Sequence, residues 1–559
     1  FLTTYQYNFA GRVVGATRPD NSIISIVPQW TMGLVDPASG LGTPSNPAPY
    51  VQSGQDKATY TDGNGKVTTV KFNNFGYIVE STEPMGRKTI FDRGIRNNVY
   101  QITYPKGNIV DNTFDDRHNV LTTTKRSIGA TTTFTYTTDG FDQIKTITDP
   151  RNNTTTLNYD TNGNLTSTVD ALSNQTSMTY NSLGLQTSVT DALSNTVTFE
   201  YDPFTFNLIG TTDQLLKETI FALDAAGNIT TMVDAEGKTT TYSYDLMNRL
   251  TEVVAPNLVV TTYEYDDAGN LVAVTDGKSH TTFFSYDQRD RLSGKTDPLG
   301  QLESFLYDGN GNKVSTTNRN GQTIAYEYNG ANELIKKTLP LNNVTTYTYD
   351  NNGNMLTAND PDSKLTMTYD GDNRLFTVAN AGSPNQPNAI ITYSYDLNGN
   401  RTQMKFGSSS IFFTGVYDAL NRLVSFTDPG PTTSTLEYDA ISRRTRKVGV
   451  DVVSTEYIYD AKSQLAGLYN IVNSNVISSF EYEYDSVGNR INMDSVRNGI
   501  AVNGLLDYLY DDLYRLVEAT HPLTTTPEVF IYDQVGNRLR KTGDSVDAVF
   551  DDANRLLED

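Results

Sequence analysis

Acidic side chains raise the first chemical question. Asp occurs in pairs such as Asp266-Asp267 and Asp511-Asp512. Two carboxylates held across a substrate with split pKa values can perform general acid–base catalysis. Other strings are rich in oxygen: Asp160–Asn164 (DTNGN), Asp308–Asn312 (DGNGN) and Asp350–Asn354 (DNNGN) look like the start of calcium loops. A loop of the EF type also needs a bidentate acid at its twelfth position. For the first string that position is Ala171, so the full motif fails. The acids recur at every turn of a repeat, which speaks for structure over catalysis. Ca2+ is the one cofactor kept in view, and no other is implied. The three His (His118, His280 and His521) are isolated from one another and sit at turn positions or before a Pro, without the pattern of a triad or a metal site. Cys is absent, which removes disulfides, thiol catalysis and thiolate ligands. Asn-x-Thr sequons such as Asn164-Leu165-Thr166 and Asn228-Ile229-Thr230 arise by chance in a sequence so rich in Thr and Asn. The chain is expected not to be an enzyme.

The elements that carry these residues form a repeat. A heptad Y-D-x-x-G-N-L runs through the chain: Tyr159, Asp160, Gly163, Asn164; Tyr265, Asp266, Gly269, Asn270; Tyr307, Asp308, Gly311; Tyr349, Asp350, Gly353. Variants replace Gly-Asn with Asn-Arg or Asp-Arg, as after Tyr244-Asp245 and Tyr286-Asp287. First positions fall at 159, 180, 201, 223, 244, 265, 286, 307, 328 and 349, a spacing of 21 residues in eight of nine steps. The spacing then loosens to residue 550, for nineteen copies in all, with degenerate copies at Tyr7, Phe72, Phe91, Phe114 and Tyr136.

Each unit reads as two strands and two turns. In residues 238–250, Tyr242 and Tyr244 share one face and Thr241 and Ser243 the other, the alternation of a strand. Asp, Asn and Gly then supply turn chemistry, and a second turn, such as Asp170–Asn174 or Asp297–Gly300, closes the unit. Nineteen hairpins make about forty strands, or a sheet ~190 Å wide at ~4.8 Å per strand. Open twisted sheets rarely pass ~10 strands without curling. The sequence therefore predicts an all-β chain of tandem hairpins wound as a continuous spiral sheet. Tyr rings at one register are expected to stack from hairpin to hairpin. A propeller, the rival architecture, would need alternating odd and even units, and none is seen.

The expected organisation is a degenerate repeat (1–19), a Pro-containing insertion or plug with the lone Trp30 (20–59), degenerate repeats (60–158), regular repeats (159–368) and looser repeats (369–559) that continue beyond the chain end. The chain opens on Phe1, inside repeat-like sequence, and is expected to be a piece of a longer polypeptide. A net charge of -22 argues against a nucleic-acid partner. No segment reaches the ~18 apolar residues of a membrane span.

The Tyr-Asp heptad at this spacing resembles the YD-repeat, or RHS-repeat, family over nearly the whole chain. The resemblance implies a hollow shell or cocoon. Members include toxin-complex shell subunits, bacterial polymorphic toxins, wall-associated proteins and teneurins. In the toxin branch it implies an enclosed C-terminal toxin released by an aspartyl autoprotease. The core motif of that branch, roughly D-P-x-G-L, is not found at the C-terminal end. Asp36-Pro37-Ala38-Ser39-Gly40-Leu41 has an extra residue and precedes the repeats, so the protease is not carried over to it. The expected function is a secreted or surface scaffold that encloses or presents a C-terminal effector. The alternative is an extracellular adhesin or structural protein that binds glycans, target-cell proteins or itself. Either places the chain outside the cell or on its surface.

Overall fold

The computed structural model describes residues 3–8, 13–27, 57–73, 75–382, 388–407, 410–430, 432–450, 453–497, 500–521 and 526–558. Each strand from Thr4–Tyr7 to Arg538–Lys541 pairs antiparallel with its neighbour in sequence, giving one 48-stranded sheet. Val549–Phe550 and Leu556–Glu558 form a separate pair. Among the described residues the only helical element is a 3-10 turn, Pro340–Asn342. One uninterrupted meander excludes a propeller, whose blades are separate sheets.

The unit Thr239–Tyr244 and Leu250–Val254 shows how the sequence makes the ribbon. Along the first strand, Thr240, Tyr242 and Tyr244 are half-buried on one face while Thr239, Thr241 and Ser243 are exposed on the other. Tyr244 pairs with Leu250, and the register slips between Ser243 and Tyr244. The same bulge recurs at Tyr159, Tyr265 and Tyr349. At the opposite end of the strands the pairing of the regular units runs on without a slip, as in Val254 with Val260; among the looser units it slips at Lys405, Ile471 and Val496. An extra residue on one strand bends it and increases twist. A bulge at one end of every hairpin therefore bends the ribbon in the same sense each time.

The ribbon thus has two distinct edges. One carries the Tyr-Asp turns; the other carries the turns that link one unit to the next. After Phe91 the bulge falls at Arg93, which pairs with Val99. Arg93, not Phe91, holds the Tyr position of that unit. Strands Ile23–Val27 and Lys57–Thr61 pair with each other, so sheet occupies both ends of the 20–59 segment. Trp30 and Asp36–Leu41 lie outside the described residues. Strands Leu375–Ala381 and Ala389–Tyr395 likewise extend to both ends of the irregular stretch 380–389.

No conventional core exists among the described residues. Among the described residues, the buried apolar side chains are Ala16, Ala130, Ala273, Ala519, Ala548, Leu436 and Leu506. A compact protein of 61.8 kDa would expose about 20,000 Å2, whereas this chain exposes 31250 Å2. That excess is what a wall one sheet thick produces, since both of its faces meet solvent.

Candidate functional site

The Tyr-Asp turn is built around its carboxylate. Asp160 Oδ1 accepts from the backbone N–H groups of Asn162 and Asn164, each at 2.9 Å, and Oδ2 accepts from Asn164 Nδ2 at 3.0 Å. Gly163 N–H donates to Asp160 O, and Gly163 takes φ +85°, a left-handed conformation that favours Gly. Asp266 with Asn270 and Gly269, Asp308 with Asn312 and Gly311, and Asp350 with Asn354 and Gly353 repeat the arrangement. The linking turns use it too: Asp170 is capped by the amides of Leu172 and Asn174. These carboxylate oxygens serve their own turns, and those of Asp308 and Asp350 also accept bonds from another winding. Asn164 and Asn228, in the two sequons named above, spend their side-chain amides on Asp160 and Asp224. Hydrogen bonds from the Asn164 side chain and backbone hold the Asp160 carboxyl below the usual carboxylate range.

In the Asn-Arg variants, Arg takes over the side-chain bond and adds another. Arg249 Nε donates to Asp245 Oδ2 at 2.7 Å, and its Nη1 donates to Asp266 O in the next unit at 3.0 Å. Its guanidinium lies 4.7 Å from the centroid of the Tyr265 ring. Arg291 treats Asp287, Asp308 and Tyr307 in the same way.

The tyrosines do not form the expected stack. Each reaches back across the hairpin junction and donates its hydroxyl to a backbone carbonyl: Tyr159 to Ile144, Tyr244 to Ile229, Tyr265 to Leu250, Tyr286 to Leu271, Tyr307 to Leu292 and Tyr349 to Leu334, at 2.8–2.9 Å. The bulge leaves that carbonyl free for a side-chain donor. A ring laid flat along the sheet to make this bond cannot also face the next ring; the flat face instead receives Arg where the variant provides one. The ring–ring stack among the described residues is Phe413 with Phe426, at 6.2 Å.

The two edges meet. Arg87, in the linking turn 83–87, is paired through both guanidinium nitrogens with Glu333, in the Tyr-Asp turn 329–333, at 2.7 Å each. Burial pushes the Glu333 carboxyl up, and the hydrogen bonds from Arg87 and Asn329 outweigh it, so the group sits below its ordinary value. Further along the same seam, Lys106 reaches Asp350 at 2.8 Å, Lys125 reaches Asp372 at 2.9 Å and Lys278 reaches Asp533 at 3.1 Å. Asn64 donates to Asp308, and Asn310 to Asp62. Tyr514 donates its hydroxyl to Asp234, and burial together with that carboxylate raises its pKa strongly. These partners lie 244 to 280 residues apart.

This seam shows how the ribbon winds. The linking turn 62–66 follows the fourth strand and the Tyr-Asp turn 308–312 follows the twenty-seventh, so one winding takes 23 strands. At ~4.8 Å per strand that is a contour of ~110 Å and a radius of ~18 Å. The 50 strands of the described residues make just over two windings, and the second lies edge to edge on the first. Close approach needs small turn tips. Gly63 and Gly309 face each other across the seam, and a Cβ on either would collide with the other's carbonyl. No local pattern marks Arg87, Glu333, Lys106 or Lys278, because each pair is joined only after a full winding.

His118 bonds Asn98 within the Tyr-Asp edge at 3.0 Å. His280 lies at the seam, 3.4 Å from Asp552, and His521 lies 3.7 Å from Glu528.

The RHS Repeat family model matches residues 139–175, 180–213, 224–258 and 265–303, and the Teneurin YD-shell model matches residues 301–505. The chain belongs to the RHS/YD-repeat family. The same shell fold is seen in solved toxin-complex structures. The crystal structure of TcdB2-TccC3 matches with a TM-score of 0.58 at 15% identity, over 100% of this chain and 35% of that one. The Photorhabdus luminescens Tc holotoxin pore with the mutation TccC3-D651A gives 0.58 at 13% identity, over 99% and 33%. TcdB2-TccC3-Cdc42 gives 0.57 at 14%, over 90% and 36%. This RHS/YD chain thus spans about a third of the length of those chains, and at such identities the likeness concerns the fold. No helix among its described residues is long and apolar enough to cross a membrane.

Proposed function

We propose that this RHS/YD shell segment is a secreted or surface-displayed wall, part of a longer polypeptide whose C-terminal effector domain it encloses or presents. The observation that carries the reading is the seam. A ribbon that fastens its own edges through pairs such as Arg87–Glu333 and Lys106–Asp350 is built to bound a space. A radius of ~18 Å at the backbone leaves room for polypeptide once the side chains are in place. Capped turns and flat-laid tyrosines are structural duties, and they leave the signature residues no catalytic role in this reading.

The test is the intact mass of the native polypeptide with peptide mapping, followed by limited proteolysis. The expected result is a sequence C-terminal to the repeats that resists protease while the shell is intact and is digested once the shell is denatured. If that sequence is absent, or is cut at the same rate in both states, the enclosing role fails and adhesion through the repeats takes its place.

A further inference from the structure

One position of the hairpin changes character along the chain. The residue paired with the repeat tyrosine is apolar in most regular units, as in Leu165, Leu250, Leu271 and Leu292. In the looser units the pairing register brings out an alternation. Arg401, Arg444, Arg490 and Arg538 face Tyr395, Tyr438, Tyr484 and Tyr532, and the units between them keep Leu. All four arginines are exposed, and among the described residues no carboxylate pairs with them. Yet the chain has a net charge of -22 and carboxylates to spare. Three of the guanidiniums rest instead on rings of their own face: Arg490 lies 4.1 Å from the Tyr482 centroid, Arg444 4.5 Å from Tyr457 and Arg401 5.5 Å from Phe413.

The two faces of this part of the sheet carry opposite charge. On the tyrosine face stand also Lys447 and Lys541. Glu528 is the one acid of that face among the described strand residues from 389 to 541, and Lys541 pairs with it at 2.8 Å. Acids such as Glu437, Glu456, Glu481, Glu483, Asp507 and Glu518 stand on the opposite face. The tyrosine face is therefore a basic, aromatic strip on an acidic molecule.

The spacing of the row decides what it fits. The arginines lie four strands apart, or ~19 Å at ~4.8 Å per strand. A nucleic-acid strand carries a phosphate about every 3.4 Å, so this row would neutralise little of it. The rings a base would stack on are already covered by guanidinium groups. An extended polypeptide rises ~3.3 Å per residue and passes one arginine about every six residues. Acidic side chains at that interval, with apolar ones over the intervening Leu, match the row. A free acidic chain would first have to approach a molecule of net charge -22. A segment joined to the wall is held beside the row at high effective concentration.

We propose that the arginine row is the binding track for an extended acidic segment of the same polypeptide, C-terminal to the repeats, whose carboxylates pair with Arg401, Arg444, Arg490 and Arg538. This inference rests on the role proposed above and names the chemistry by which the wall holds its effector.

The test uses the native full-length polypeptide with Arg538 replaced by p-benzoylphenylalanine. Irradiation should join this position to sequence C-terminal to the repeats that has more Asp and Glu than Lys and Arg. Adding Arg444→Glu and Arg490→Glu should lower the yield about tenfold or more, because like charges then face each other. Arg444→Lys and Arg490→Lys, which keep the charge, should hold it within about twofold. Circular dichroism checks that the wall stays folded, since neither side chain caps a turn or reaches across the seam. No capture, capture of a basic or neutral segment, of a separate protein or of nucleic acid, or a yield indifferent to the Glu pair overturns the proposal and leaves the enclosing role standing. If the C-terminal sequence is instead cut at the same rate in intact and denatured shells, the enclosing role falls and this inference with it.

Discussion

Arg87 and Glu333 are 246 residues apart in the chain and meet through two parallel hydrogen bonds of 2.7 Å. Their side chains are 7% and 15% exposed. A planar guanidinium matched to both carboxylate oxygens is the strongest form of ion pair a side chain offers. Removing one partner leaves a shielded charge uncompensated. Arg87→Met is therefore expected to cost about 3–5 kcal/mol of local seam stability, read as faster hydrogen exchange in turns 83–87 and 329–333. The double variant Arg87→Met with Glu333→Leu should recover most of the loss. An unchanged exchange rate in the single variant would mean the pair does not hold the windings together.

The tyrosine hydroxyls should act one junction at a time. Tyr265→Phe removes the bond to Leu250 O and is expected to cost about 1 kcal/mol. Tyr265→Leu also removes the ring beneath Arg249, for a further ~0.5–1 kcal/mol. Urea denaturation of the three proteins checks the order. If the Phe variant is as stable as the parent, the hydroxyl is incidental and the stabilisation lies in the ring.

The shell should be stable between acid and alkaline limits. Hydrogen bonds hold the Asp160 carboxyl low; at Asp350, burial is outweighed by bonds from Lys106 and Asn354. Carboxyls lowered on folding stabilise the shell fully above their unfolded values, near ~4, and lose that contribution as pH falls through the folded values. Burial raises Tyr159, Tyr286 and Tyr349. A phenol raised on folding stabilises fully below ~10 and loses its contribution as pH rises through the folded value. Melting temperature against pH should therefore fall at both ends, with phenolate absorbance appearing together with the alkaline loss. Phenolate formation well before unfolding would contradict the hydroxyl-to-carbonyl bonds.

The turn tip at Gly309 should reject bulk that an exposed turn tip tolerates. Gly309→Leu meets Gly63 across the seam and is expected to cost about 1–3 kcal/mol by overpacking. Ala225→Leu, at an exposed turn tip without a seam contact among the described residues, should stay within about 0.5 kcal/mol of the parent. Equal melting temperatures for the two variants would place the Gly309 turn outside a close seam.

The hairpin unit was legible because everything that builds it lies within one period. Tyr242 and Tyr244 on one face and the Asp160–Asn164 turn with its left-handed Gly163 follow from strand alternation and turn chemistry. Misreadings came where local pattern was ambiguous. Phe91 and Arg93 lie on the same face of one strand, and only the bulge at Arg93 decides which opens the turn. Tyr rings at one register suggested stacking, but a sequence does not reveal that the bulge leaves a carbonyl free to accept the hydroxyl.

The sequence by itself determined the repeat, its two strands and two turns, the all-β class and the family, since these depend on contacts between near neighbours. The tertiary structure alone decided that a winding closes after 23 strands, that Arg87 meets Glu333 and Lys106 meets Asp350, and that linking turns of the first winding meet Tyr-Asp turns of the second. The reason is cumulative: each bulge adds a small bend, and the partner of any turn is set by the sum of those bends over some 250 residues, which no local pattern records.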